Sequence, residues 1–201
     1  MCEETQGQRS DADLARELRD GGNAAFDALF DRYRPLLLAY VRGMLHDRAL
    51  AEDVVQDTFL GLVRQRRRID PRRGVKSWLF RVARNRAIDV LRKRRPEIVA
   101  EDVAERHDRS GEQSVERPSA GIEREELRSD VRRLLELLPQ RERDVLMLHY
   151  LGDMPFREVA DVVKRPLGTV LWQSRRAIER LRKHLDSQEG RRAGARGVNE
   201  D

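Results

Sequence analysis

Leu138–Leu185, LPQRERDVLMLHYLGDMPFREVADVVKRPLGTVLWQSRRAIERLRKHL, is the stretch on which the fold turns. Phe156, Val159, Ala160 and Val163 recur at i, i+3, i+4 and i+7, so they share one side of a 3.6-residue turn. Lys164 and Arg165 interrupt that helix, and Pro166 suits the first position of a second, where its missing N–H is no loss. Down the second helix Leu167, Val170, Leu171, Ser174, Ile178, Leu181 and Leu185 are expected to face inward. Opposite them fall Thr169, Trp172, Gln173, Arg176 and Arg180, with Arg175 at the flank. Two short helices joined by a tight turn, the second carrying such a polar face, read as a helix-turn-helix suited to the major groove. Arg clamps guanine or phosphate through two N–H groups, Gln pairs with adenine, and an aromatic ring lies against a thymine methyl. A helical pack with a merely solvated basic face is the bland alternative.

Charge along the chain weighs against that alternative. Residues 1–63 carry 7 basic and 12 acidic groups, residues 64–95 carry 14 and 2, and residues 96–126 carry 4 and 10. A block of net +12 between two acidic flanks attracts a polyanion, and nucleic acid is the usual one. Of the 41 cations only Lys76, Lys93, Lys164 and Lys183 are lysines, a bias that favours planar two-point phosphate contacts and that a GC-rich genome explains equally well. The 38% charged content and mean hydropathy of −0.75 argue against a membrane protein, and no apolar run approaches the roughly 20 residues needed to span a bilayer. The polar N-terminus lacks the basic start and apolar core of a secretory signal, so a cytoplasmic location is expected. Cys2 is the lone cysteine and His46, His107, His149 and His184 are scattered, which excludes an intrachain disulfide or a cysteine-based zinc site and leaves no cofactor to expect.

Upstream, helical spacing begins near Asp11 and continues through a stripe of Phe26, Leu29, Phe30, Tyr33, Leu37, Tyr40, Val41 and Leu45, with Pro35 marking either a kink or a helix start. Further helices are predicted over about Arg48–Val63 and Val75–Arg94, separated by a basic loop, Arg64–Gly74. No alternating strand pattern and no repeat is present, so the class is all-α, built as two small helical domains. Residues 11–95 form the first, 96–122 a flexible acidic linker rich in Glu, Asp, Ser, Gly and Pro, 123–185 the second, and 186–201 a disordered tail. A linker of that length spans on the order of 30 Å on average and about 100 Å at full stretch, enough for grips one to two DNA turns apart. Its acidity suggests that it folds over the basic block in the free protein; neutralising Glu101, Asp102, Glu105 and Asp108 without effect on nonspecific DNA affinity would refute this.

Two faces of the first domain carry chemistry. On the helix Val75–Arg94, Trp78, Arg81, Asn85 and Arg92 share one side with Arg84 nearby, while Leu79, Ala83, Ala87 and Val90 occupy the other. An indole among guanidinium groups and an amide can stack on an unpaired base, hold its phosphates and read its edge; Trp78 as a plug of the core is the competing reading. The preceding helix shows Glu52, Asp53, Gln56 and Asp57 with Leu60 on its outer face, and Val54, Val55, Phe59, Leu62 and Val63 on its inner face. Those carboxylates have the ordinary spacing of a solvated helix and no His beside them, so a partner with a basic groove fits better than a metal-dependent nuclease.

AEDVVQDTFLGLVR (Ala51–Arg64), WLFRVARNRAIDVLRKRR (Trp78–Arg95) and the LP..R..V..L.Y pattern followed by EVA and GTV together resemble the extracytoplasmic-function sigma factors of the sigma-70 family. The resemblance covers nearly all of Phe26–Arg94 and Leu138–Leu185. It implies a non-enzymatic transcription initiation factor that binds core RNA polymerase, directs it to promoters and helps melt them, with promoter DNA as second partner, an anti-sigma factor as a possible third, and a monomer when free. It places Asp53, Gln56, Asp57 and Phe59 on the polymerase-docking stretch, the Arg64–Gly74 loop and Trp78–Asn85 face at a flipped base of the minus-10 element, and Arg157, Thr169, Trp172, Gln173, Arg175 and Arg176 at the minus-35 element. After GTV the family often has a basic residue, a small residue and Arg, whereas this chain has Leu171, Trp172 and Gln173. That departure implies either an unusual minus-35 preference or a weaker grip. A stand-alone helix-turn-helix regulator is the alternative function.

Overall fold

The computed structural model describes residues 9–70, 74–94, 131 and 133–196, and every regular element among them is helical. The first helix, α1 (Asp11–Arg19), starts where the Ser10 hydroxyl accepts from the Asp13 backbone N–H at 3.2 Å, and its acidic first turn and basic last turn both oppose the helix dipole. Gly21, at φ 93°, takes the left-handed turn that leads into α2 (Asn23–Leu45). Pro35 neither starts nor ends α2, which continues through it. Pro35 and Asp31 both face solvent, so the carbonyl that loses its helical partner is left to water. His46, in the left-handed region, ends α2, and the Asp47 carboxylate caps α3 (Arg48–Gln65) by accepting from Leu50 N–H at 3.1 Å. One 3₁₀ turn at Arg66–Arg68 follows, and α4 (Val75–Arg94) completes the first unit with the predicted boundaries.

The second unit holds α5 (Gln140–Leu146), which widens into a π-helical turn over Met147–Leu151, then α6 (Phe156–Val163) and α7 (Leu167–Arg196). Lys164, at φ 55°, is the left-handed stop between α6 and α7, the predicted break in the helix-turn-helix. Two expectations about α7 need correction. It continues to Arg196, past the residue at which a tail was expected to begin. Its buried stripe is Val170, Gln173, Ser174 and Ala177, whereas Leu167, Ile178 and Leu185 are 38%, 38% and 47% exposed. The linker, 96–122, lies outside the described residues, as do residues 71–73 of the basic loop.

Helices α2, α3 and α4 pack on one another, with α1 laid against α2 and tied to it by Arg32 and Tyr33, both of which donate to the Asp11 carboxylate. Leu29, Leu37, Leu62, Leu79 and Phe80 are wholly buried here, each worth about 1.5–3 kcal/mol of transfer from water. In the second unit α7 packs on α5 and α6. Only a small cluster, Leu138, Leu146 and Ala177 with Leu135 and Leu181, is private to that unit; Val145, Met147, Leu148, Met154, Val159 and Val162 join the core of the first unit as one continuous body.

Candidate nucleic-acid interface

The exposed surface of α7 opens on Trp172, which is 55% exposed and carries the Arg176 guanidinium 4.9 Å above its ring. That stacking orients a side chain that otherwise samples many rotamers. Behind it, Glu142 of α5 faces Arg176 Nε at 3.6 Å and Arg180 Nε at 3.3 Å, so one buried carboxylate braces two cations of α7. Arg175 is exposed beside them, and Trp172, Arg175, Arg176 and Glu179 enclose a shallow concavity of about 380 Å³. A hydrogen bond from Lys183 and its charge hold the Glu179 carboxyl below its ordinary pKa. Thr169 is half-buried at the start of α7 and Arg157 is exposed on α6.

Gln173 was expected on this face and does not belong to it. The residue is 5% exposed, on the buried side of α7, and its Oε1 has no hydrogen-bond partner among the described residues. A side chain so placed reaches no base. The cause is Ala177, one turn on and wholly buried: a small residue lets α7 come close to Leu138 and Leu146, and Gln173 lies on the same side.

On α4, Asn85 and Arg92 are exposed and Arg81 is half-buried, as a base- and phosphate-contacting face requires. Trp78 is half-buried; the edge of its indole lies against α3 at Gly61, so part of the ring packs in the core while part stays open to solvent. Arg84 departs from the group. Its side chain is 18% exposed, its Nε donates to the Asp144 carboxylate of α5 at 2.6 Å, and that carboxylate also accepts from the Tyr40 hydroxyl. Burial works against the Arg84 charge, but Asp144 and Tyr40 outweigh it and raise the guanidinium pKa. Burial and the adjacent Asp144 push the Tyr40 phenol well above its ordinary value, which keeps it a donor. Nothing in the residue spacing had singled out Asp144. The available signal was a run of four charges, Arg141–Glu142–Arg143–Asp144, just ahead of an apolar stretch; the last three are buried.

The outer face of α3 presents Glu52, Asp53, Gln56 and Asp57 to solvent. Glu52 pairs with Arg48 at 3.0 Å and Asp57 with Arg86 at 2.5 Å. Leu60 is 45% exposed, whereas Phe59 is 3% exposed and so offers no surface of its own. Phe59 is held by the rings of Phe30 at 4.8 Å and Phe26 at 6.1 Å and forms the floor of a groove between α2 and α3, about 440 Å³, whose rim carries Leu60, Val63, Glu52 and Arg34. The periodicity showed the acidic rim but not the groove, because Phe26 and Phe30 come from another helix. Among the described residues no three His, Cys, Asp or Glu side chains gather as a metal site, and no helix is long and apolar enough to cross a membrane.

The chain matches two family models in order, Sigma-70 region 2 over residues 29–97 and Sigma-70, region 4 over residues 134–183. It is 32% identical over 175 residues to the ECF RNA polymerase sigma factor RpoE of Cereibacter sphaeroides, covering 86% of this chain and 93% of that protein. With the RNA polymerase sigma-H factor of Pseudomonas aeruginosa it shares 28% identity over 181 residues, 86% of this chain and 94% of that one. Among solved structures, CnrH in complex with the cytosolic domain of CnrY is similar, with a TM-score of 0.66 and 27% identity, covering 89% of this chain and 99% of that one. The two matched regions fall on the two helical units just described, and the chain belongs to the sigma-70 family, among its ECF RNA polymerase sigma factors.

Proposed function

We propose that this chain acts as the promoter-specificity subunit of a bacterial RNA polymerase, with each helical unit holding a different promoter element. The observation that carries the reading is the exposed Trp172–Arg175–Arg176 face on the second helix of a helix-turn-helix within the region matched to sigma region 4. Helix α7 lies in the major groove of the minus-35 element, with Thr169 at its entry and Arg157 of α6 on the flanking phosphates. Trp78, Arg81, Asn85 and Arg92 of α4 take up the non-template strand of the minus-10 element. Stacking and phosphate contacts there offset the few kcal/mol needed to unstack a base, so strand opening is driven by binding. The chain supplies no catalysis of its own.

The α3 rim, Glu52, Asp53, Gln56, Asp57 and Leu60, meets core polymerase, with the Phe59-floored groove as its apolar centre. An acidic rim around an apolar groove fits a partner helix that is basic at its edges and apolar along one face. An antagonist of the anti-sigma kind is a second expected partner, since the similar CnrH was solved with the cytosolic domain of CnrY. The site of action is the cytoplasm, where polymerase works.

Purified chain mixed with core polymerase tests this. A stable complex and promoter-dependent transcripts are expected; a chain that binds duplex DNA but neither joins polymerase nor yields transcripts is a stand-alone regulator, and the proposal fails.

A further inference from the structure

We propose that Trp172 sets the specificity of the minus-35 contact by packing its indole on the C5-methyl of one thymine. The inference rests on the assignment of α7 to that element and names the base chemistry that α7 takes. Thr169, Trp172 and Arg176 fall at i, i+3 and i+7 and so form one stripe along α7. On a recognition helix the N-terminal residues are the ones that meet base edges, and Trp172 stands in the second turn. Its neighbours leave that position to it. Gln173, the one amide between Leu167 and Arg176, is 5% exposed, and Leu171 is half-buried. No side chain therefore remains here for the paired hydrogen bonds that identify adenine. An indole offers one N–H donor, no acceptor and a broad apolar ring. Among the groups that base pairs present in the major groove, the thymine methyl is the apolar one.

The ring is also held in place. The Arg176 guanidinium lies 4.9 Å above its centroid, and the Glu142 carboxylate faces Arg176 Nε from behind at 3.6 Å. Trp172 nevertheless remains 55% exposed, and it is the one apolar side chain among the four that enclose the 380 Å³ concavity. Arg175 and Arg176 at the same concavity suit the phosphates flanking a base whose methyl rests on the ring. A large ring with few torsions loses little freedom on contact, so burying one methyl group translates into about a fourfold preference. The basic and small residues that Leu171 and Trp172 replace would lack this contact, so the altered sequence here changes which base is preferred and not merely how tightly DNA is held.

The test uses holoenzyme reconstituted from the full chain and core polymerase, which selects its sites from promoter-length duplexes of random sequence. Thymine is expected to be enriched at one position of the minus-35 region. Replacing that thymine by deoxyuridine removes the methyl alone and is expected to weaken binding about fourfold, and 5-methylcytosine there is expected to bind about fourfold more tightly than cytosine. Both ratios are then measured within each variant, so that a general loss of affinity cancels. Trp172→Ser is expected to bring them to about one, and Trp172→Phe, which keeps an aromatic ring, to hold them above one; circular dichroism checks that each variant is folded. Binding indifferent to the methyl overturns the inference, and so does a methyl effect that persists undiminished in Trp172→Ser. Failure to form a holoenzyme or to yield transcripts overturns the assigned function and this inference with it, whereas an active holoenzyme that ignores the methyl overturns the inference alone.

Discussion

Arg176 shows how a cation of the proposed DNA-reading face is ordered within the chain itself. Trp172 beneath it and Glu142 behind it limit its rotamers, so less freedom is lost on binding than for a free arginine. Arg176→Ala is expected to weaken promoter binding by the holoenzyme and to lower the slope of log K against log salt by about 1, as loss of one phosphate contact does. An unchanged slope with altered preference at one base pair would make Arg176 a base reader instead. Gln173, one residue past Trp172, behaves in the opposite way. With its side-chain oxygen buried and unpaired it costs stability, so Gln173→Met is expected to raise the unfolding free energy by about 1 kcal/mol while leaving promoter preference intact. A shift in preference measured against a promoter library would return Gln173 to the reading face. The exposure of Asn85 and Trp172 was legible in the spacing, but the placement of Gln173 was not. The large residues Leu167, Ile178 and Leu185 dominate a pattern read from sequence, and the seam that forms is centred on Ala177, rotated from them by about 90°.

Helix starts proved the most legible feature because their causes are local. Asp47 as cap and the apolar spacing of Val54, Val55 and Leu62 mark α3, and the run from Val75 marks α4. The π-helical turn at Met147–Leu151 left no such mark; it is accommodated by tertiary contacts, among them Met154 N–H on His149 O at 3.2 Å and the stacking of His149 on Phe156 at 4.0 Å. The α2–α3 groove is likewise a product of two helices, and it separates two neighbouring residues by role. Leu60 stands on its rim and Phe59 beneath it, so changes at the two should differ in kind. Leu60→Asp, at an exposed position, is expected to leave the unfolding midpoint near that of the unaltered chain and to weaken association with core polymerase at least about tenfold, the effect of losing an interface anchor. Phe59→Ala is expected to cost about 3–5 kcal/mol of stability through the cavity it leaves. Calorimetry and a pull-down of core polymerase distinguish the two; polymerase binding by Leu60→Asp at full strength would move the docking surface elsewhere.

Contacts between the units were beyond the reach of periodicity, since Tyr40 and Asp144 are 104 residues apart and nothing in either helix states the pairing. What the sequence did show was two helical units, and the structure adds that most of the second unit's buried apolar residues belong to one continuous core with those of the first. A small private cluster around Leu138, Leu146 and Ala177 cannot by itself bury much area, whereas the shared core runs unbroken from Leu14 to Val170. Two units joined by such a core unfold together. Scanning calorimetry of the full chain is therefore expected to give one transition whose van't Hoff and calorimetric enthalpies agree. Gly43→Gln should divide it. With Met147 displaced, the second unit loses its share of the common core and melts first, while α2 exchanges a helix-weakening glycine for a good helix former and gains about 0.5 kcal/mol, holding the first unit's midpoint at or above its original value. Two transitions in the unaltered chain would mean that the units are energetically separate, and a single, uniformly lowered transition in the variant would mean that Gly43 serves the first unit alone.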